Sequence, residues 1–361
     1  MKIKSYNISL YDDRIWSFIG SFSLAIILVI IGNISIYKNL NLENEVVLYS
    51  LSAYVAANWG GMTEFYLTNK RFEECVSKYL FDFTVLVSLV LLVFILMRDP
   101  SVTLFSSLLL ILYPASTFFY RMRSMGKFIY SAIFSLLLHA VLAFLLFYFK
   151  LPYYLLLVSA ILIYLLTISA SLMILKDISF KNIDWNFHKL GVINTLTGEV
   201  DRYILAAAMS PKISITYITI TSTLGFVTMV TTSFIRLFIN NYENFGKMPK
   251  IKPYLIMQLL SFPVVLIILP VLGHQYYVVF VLALGLLIKY VGVILTIPNF
   301  IEMYSKDQSK KLFRISFLVN FISIIISLLY LIVPSTALIT SASKVLSSVP
   351  LYLLVFRGKN Q

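Results

Sequence analysis

An all-α polytopic membrane protein of about twelve transmembrane helices in two six-helix lobes is the fold class that this amino-acid sequence predicts. Three observations carry that expectation. Of the 361 residues 60% are hydrophobic and only 12% charged, with a mean hydropathy of +0.89, about half the charged fraction of a soluble domain. The apolar residues also fall in runs long enough to cross a hydrocarbon core, which takes about 20 residues as a helix. Finally, the basic residues collect in alternate connections between those runs, as cytoplasmic loops of membrane proteins do.

Taken in order, the expected spans are 15–37, 46–68, 80–97, 101–120, 128–149, 151–175, 190–209, 213–239, 253–272, 276–298, 312–333 and 335–356. The first follows a polar stretch, MKIKSYNISLYDDR, and ends in NISIYKN without a small-x-small cleavage signal, so it is expected to be retained. The seventh, GVINTLTGEVDRYILAAAMS, carries three charges and is the weakest by hydropathy. Pro114 and Pro263 lie inside spans four and nine, where a missing amide donor permits a kink, and Gly191 and Gly198 loosen span seven.

Loop charge tests the count. With a cytoplasmic N-terminus, inside segments hold Lys2, Lys4 and Arg14; Lys70, Arg71 and Lys78; Arg121, Arg123 and Lys127; and Lys176, Lys181 and Lys189. They continue with Arg236, Lys247, Lys250 and Lys252; Lys306, Lys310, Lys311 and Arg314; and Arg357 with Lys359. Outside segments hold only Lys38, Arg98, Lys150 and Lys212. A dropped or added helix would reverse the alternation beyond it, so both termini are expected in the cytoplasm. The same bias accounts for the formal charge of +13 without nucleic acid. The long connection KDISFKNIDWNFHK divides the chain into lobes 1–178 and 179–361. NEVVLYSLSAYVAANWGGM, entering span two, is weakly similar to PKISITYITITSTLGFVTM, entering span eight, and each has a Tyr (Tyr49, Tyr217) followed by small and hydroxyl residues. Transporters built of repeats place their path between the halves.

Ionisable side chains at mid-bilayer cost at least about 2.5 kcal/mol on insertion scales, so each needs a partner or a wet cavity. Arg202, Lys289 and Lys344 fall within spans of the second lobe, and Arg236 lies near a span end. Together they are the expected substrate path, because ammonium and guanidinium groups hold an anionic head group by charge-assisted hydrogen bonds. Hydroxyl-rich faces, TYITITST and TSASKVLSS, suit sugar hydroxyls. Asp201 and Glu64 are the candidate ion-coupling acids, although Asp201 is equally suited to bracing helices against Arg236 or Lys289, and Glu64 to pairing with a loop cation. Asp82 and Arg121 read as interface residues, His139 as a hydrogen-bonded packing residue, and Glu73, Glu74, Asp177 and Asp184 as solvated loop charges.

Several classes are excluded. The chain lacks a Walker motif, and its three histidines and single Cys75 offer neither a disulfide nor a metal cluster, so no cofactor is expected. The outer connections are short, which counts against an intramembrane glycosyltransferase or polymerase.

Two segments carry a family resemblance. GEVDRYILAAAMSPKISITYITITSTLGF resembles spans seven and eight of bacterial polysaccharide flippases, where an Asp-Arg pair leads an apolar run into a Gly/Ser-Pro turn and a Tyr-containing helix. RMRSMGKFIYSAIFSLLLHAVLAF is similar to the entry of that family's fifth span. The group most resembled is the O-antigen, lipid-linked oligosaccharide flippases of the multidrug/oligosaccharidyl-lipid/polysaccharide exporter superfamily. The chain is shorter than most members, and its first span lacks their Gly-rich start. The resemblance implies a non-enzymatic flippase in the bacterial inner membrane. Its cargo would be an undecaprenyl-diphosphate-linked oligosaccharide, held in a cationic V-shaped cavity and moved by ion counter-flow. Its partners would be membrane lipids and the polysaccharide polymerase and chain-length machinery. Asp201 and Arg202 are the residues matched to the motif. An ion-coupled small-molecule or drug antiporter of the same architecture is the alternative.

Overall fold

A computed structural model of the chain describes residues 43–66, 72–97, 99–124, 127–174, 200–221, 250–271, 273–306, 308–333 and 336–358, with Gly246 and Met248. Among these residues every regular element is a helix. In the first half they are α1 (Glu43–Tyr66), α2 (Phe72–Met97), α3 (Pro100–Ser124), α4 (Phe128–Ala143, prolonged by a π turn at Phe144–Tyr148) and α5 (Tyr153–Ile174). The second half has α6 (Val200–Ala208), α7 (211–221), α8 (Lys252–Val271), α9 (Tyr276–Ser305), α10 (Ser309–Ser327, ending in a 3-10 turn at Leu328–Leu331), α11 (Thr336–Ser347) and α12 (Val349–Gly358). The first expected span lies outside the described residues.

Seven stretches of the described residues are long and apolar enough to cross a membrane: Tyr79–Met97, Pro100–Phe119, Ile129–Tyr148, Lys252–Val271, Tyr276–Met303, Lys310–Leu331 and Ala337–Phe356. Their outward faces are leucine-rich, with Leu92, Ile95 and Leu96 on α2, Leu136 and Leu137 on α4, and Leu260 and Ile267 on α8 all exposed. Such surface is stable only against acyl chains. Polar groups point inward instead: Ser50, Ser107, Ser131, Thr219, Thr296, Thr340 and Ser343 are fully buried. The protein is a multi-pass membrane protein with lipid-facing hydrocarbon around a hydroxyl-lined interior.

Two expectations need correction. The second half's last span, expected as one helix over 335–356, is two helices meeting at Ser348. Pro350 has no amide hydrogen to donate to Leu346, and the chain turns through a Ser348 N–H to Val345 O bond of 3.1 Å instead. The third span, expected over 80–97, is matched by the apolar stretch Tyr79–Met97, but its helix begins earlier, at Phe72. Glu73 and Glu74 therefore lie on the first turn of α2, where the helix dipole favours acids, and not in a loop.

Local chemistry explains other boundaries. Asp99 caps α3, its Oδ1 accepting from the Ser101 and Val102 amides at 2.7 and 3.1 Å, and Pro100 fills the first helical position. At the far end of α4 the backbone widens into the π turn, Phe149 N–H donating to Phe144 O at 3.3 Å, before Lys150 turns with φ of 49°.

Packing follows from residue size. In the first half α1 lies along α3, which also meets α4, α5 and α2; in the second, α9 packs on α8, α11 and α12, and α10 on α11. Between the halves, α1 touches α6, and one continuous apolar core runs from Val46 and Tyr49 to Leu205, Ile215 and Tyr217. Residues 46–56 of α1 are buried on every side, with Leu48 alone partly so. Gly285 lets α9 and α11 approach closely: a Cβ there would stand 2.7 Å from Ser341 Cα. Gly292 likewise accommodates the Tyr352 ring, whose hydroxyl donates to Ile288 O at 2.6 Å.

A candidate functional site at the seam of the two halves

Arg202 is the third residue of α6 and is buried, 7% exposed. Its guanidinium carbon stands 3.6 Å from the centroid of the Tyr54 ring, on α1 of the opposite half. The same group extends Nη2 toward Thr221 Oγ1 on α7, at 3.5 Å, the long limit of a hydrogen bond, while Thr221 donates to Ile218 O at 3.1 Å. A cation over a tyrosine ring is attracted to the ring's negative face, by roughly 2 kcal/mol when desolvated. The three side chains come from three helices, two of the second half and one of the first.

Lys344 is also buried, 5% exposed, in the last turn of α11. Hydroxyls surround this stretch of helix. Ser343 and Ser323 hydrogen-bond at 3.0 Å between α11 and α10, Tyr330 bonds to Thr340, and Ser347 donates to the Lys344 carbonyl at 3.2 Å. Lys289, in the middle of α9, is partly buried and shares the helix stripe of Gly285 and Gly292, spaced at i, i+4 and i+7. Gly285 faces Ser341 and Gly292 faces Tyr352, so α9 runs the same way as α11 and α12. Lys289 lies four residues beyond the Gly285–Ser341 contact and Lys344 three, which at about 1.5 Å per residue puts both backbones at nearly one depth. α6 packs against α10 and α11, so the helices carrying Arg202 and Lys344 are neighbours.

The acids are placed differently. Glu64 is on the last turn of α1 and Asp201 on the first turn of α6, but their side chains, like all of Arg236, lie outside the described residues. Asp82, expected at an interface, is 1% exposed. Ten residues into α2, it sits about 15 Å along the helix, in electrostatic contact with the fully buried Tyr113 phenol of α3. Tyr113 stacks on Tyr79 at 5.7 Å, and Tyr79 hydrogen-bonds Thr167 of α5. His139 is hydrogen-bonded: its Nδ1 is 2.6 Å from Tyr49 Oη. No group of three His, Cys, Asp or Glu side chains fit to hold a metal occurs among the described residues.

With this geometry in hand, comparison with known proteins identifies the fold. No family model matches the sequence, and no curated protein does. Solved structures do. The chain is similar to the MATE multidrug transporter DinF-BH, with a TM-score of 0.59 and 15% identity, over 98% of this chain and 96% of that one. A MATE structure in the straight conformation gives 0.53 at 11% identity, covering 98% and 96%. A transporter from Pyrococcus furiosus, described as having a binding pocket of reverse polarity within the MOP superfamily, gives 0.50 at 11% identity, covering 94% and 95%. The chain has the fold of these MATE transporters.

Proposed function

We propose that this chain is an alternating-access flippase of the bacterial inner membrane, with both termini cytoplasmic. It would move an undecaprenyl-diphosphate-linked oligosaccharide, an O-antigen or similar repeat unit, from the inner to the outer leaflet. One observation carries the reading: the deep cations Arg202, Lys289 and Lys344 all belong to the second half, on helices that pack together, among hydroxyls suited to sugars. Charge-assisted bonds to a diphosphate favour such a site, and the polyprenyl tail stays in lipid. Arg236 remains a proposed path residue on sequence grounds. Asp201 and Glu64 are proposed to couple the counter-ion, and Asp82 joins them as an acid deep in the first half. The lipid, the polymerase and the chain-length machinery are its proposed partners.

Reconstituted protein tests the reading directly. Arg202→Ala combined with Lys289→Ala is expected to slow translocation of the lipid-linked sugar about 10–100-fold, the value of charge-assisted bonds lost. Wild-type translocation by the double variant would sink it.

A specific observation favours a second reading. DinF-BH is a multidrug transporter, and a small-molecule antiporter would use the same fold. Resistance to cationic dyes on expression, with surface polysaccharide unchanged, would select that reading over the flippase.

A further inference from the structure

We propose that the Tyr54–Arg202 stack is a latch between the two halves, and that an anionic group on the cargo releases it. The proposal rests on the transport reading for its motion and on the anionic cargo for its trigger. Tyr54 belongs to α1, which lies along the first half's α3; Arg202 belongs to α6, which packs on α10 and α11 of the second. The 3.6 Å stack therefore joins elements whose remaining neighbours belong to opposite sides of the seam. Any motion that parts the halves along this line must separate ring from guanidinium.

The latch has a built-in sensitivity to charge. Ring and guanidinium attract because the guanidinium is positive. With its central carbon over Tyr54 and Nη2 directed toward Thr221, the guanidinium meets a phosphate through its N–H groups, the mode of bidentate recognition. Neutralising the charge there removes most of the attraction to the ring, and in a low-dielectric seam an ion pair outweighs a cation–π contact. Tyr54 is thus a positioning residue that reports cargo charge to the seam through Arg202. Sequence alone misses it, because nothing marks one buried tyrosine among 24.

The latch is read as a distance. Asn44 and Lys212 are exposed on the first turns of α1 and α7, one in each half. Nitroxides on Asn44→Cys and Lys212→Cys, in a Cys75→Ser background, report their separation by double electron–electron resonance in proteoliposomes. Tyr54→Phe keeps the ring and is expected to keep the wild-type distribution. Tyr54→Leu removes it and is expected to move the ratio of long to short distances roughly tenfold. Geranylgeranyl diphosphate is expected to produce the same shift in the wild-type chain, and geranylgeraniol none. An unchanged distribution in Tyr54→Leu overturns the latch and leaves the cargo reading to the translocation assay. Equal shifts by diphosphate and alcohol overturn the charge trigger while the transport reading stands.

Discussion

Among the described residues the two halves bury ionisable groups of opposite sign, while both bury hydroxyls. In the first, the acid Asp82 acts on the Tyr113 phenol, Tyr113 stacks on Tyr79, and Tyr49 is bonded to His139. In the second the buried charges are cationic, with Lys344 among Thr340, Ser343 and Ser347, Lys289 at the same depth, and Arg202 at the seam. Phenols and an imidazole are groups that pass protons and pair with an acid, whereas serine and threonine oxygens solvate cations and sugars. On the proposed function, this contrast assigns Asp82 to ion coupling and the second half's cations to the cargo, and the Tyr54–Arg202 contact joins the two halves.

The sharpest way to break this contrast is steric. Gly285→Val places a branched side chain where even a Cβ comes within 2.7 Å of Ser341 Cα. It should drive α9 from α11, cost about 1–3 kcal/mol or more, and lower the melting temperature in detergent while abolishing anion binding. A Gly285→Val variant that melts and binds as wild type would mean that the close approach does not set the second half's geometry. Next in size is Asp82→Asn. Ion-driven accumulation of cargo in vesicles should fall about tenfold, as for loss of a positioned acid–base group, while equilibrium binding of a diphosphate amphiphile stays within about twofold. Loss of binding as well would erase the division of labour.

A smaller effect comes from His274, buried in the connection between α8 and α9. Desolvation holds its pKa below the ordinary histidine value. The folded form thus takes up its proton less readily than the unfolded one. Its contribution is complete above the ordinary histidine range and is lost as pH falls through that range. Acidification from pH 7.5 to pH 5 should lower the wild-type melting temperature more than that of His274→Gln, and equal losses would remove this group from the account. Last, Ser323→Ala deletes the hydrogen bond to Ser343 and should cost about 0.6 kcal/mol, the mean for such bonds between membrane helices. A several-fold larger loss would show that the second half's hydroxyls act as a network.

Much of the fold is legible in the sequence because a bilayer allows so few solutions. Apolar runs and alternating basic loops place α3, α8 and α10 within a few residues of their ends and the start of α9, which runs seven residues past its expected limit. The errors come where polar residues lie on a helix. Glu73, Glu74 and Lys78 begin α2 but look like loop, so the helix starts eight residues ahead of the expected span while the apolar stretch itself starts at Tyr79. Helix α1, expected over 46–68 and found at Glu43–Tyr66, is less apolar than α2 because it is buried and its serines and tyrosines face protein. At the site, the cations are visible as anomalies in oil, and a partner is not: Tyr54 and Arg202 are 148 positions apart, and stacking has no sequence period.

Helix α1 carries a consequence of its own. A span that touches only protein through residues 46–56 owes nothing to the bilayer's thickness or composition, since no lipid rests on it. Its tilt is therefore dictated by the helices around it. It also has no idle positions through that stretch, where an ordinary membrane helix tolerates almost any hydrocarbon on its lipid side. A saturation scan along it should look like that of a soluble protein's core, intolerant in every register, with Leu48 the mildest site.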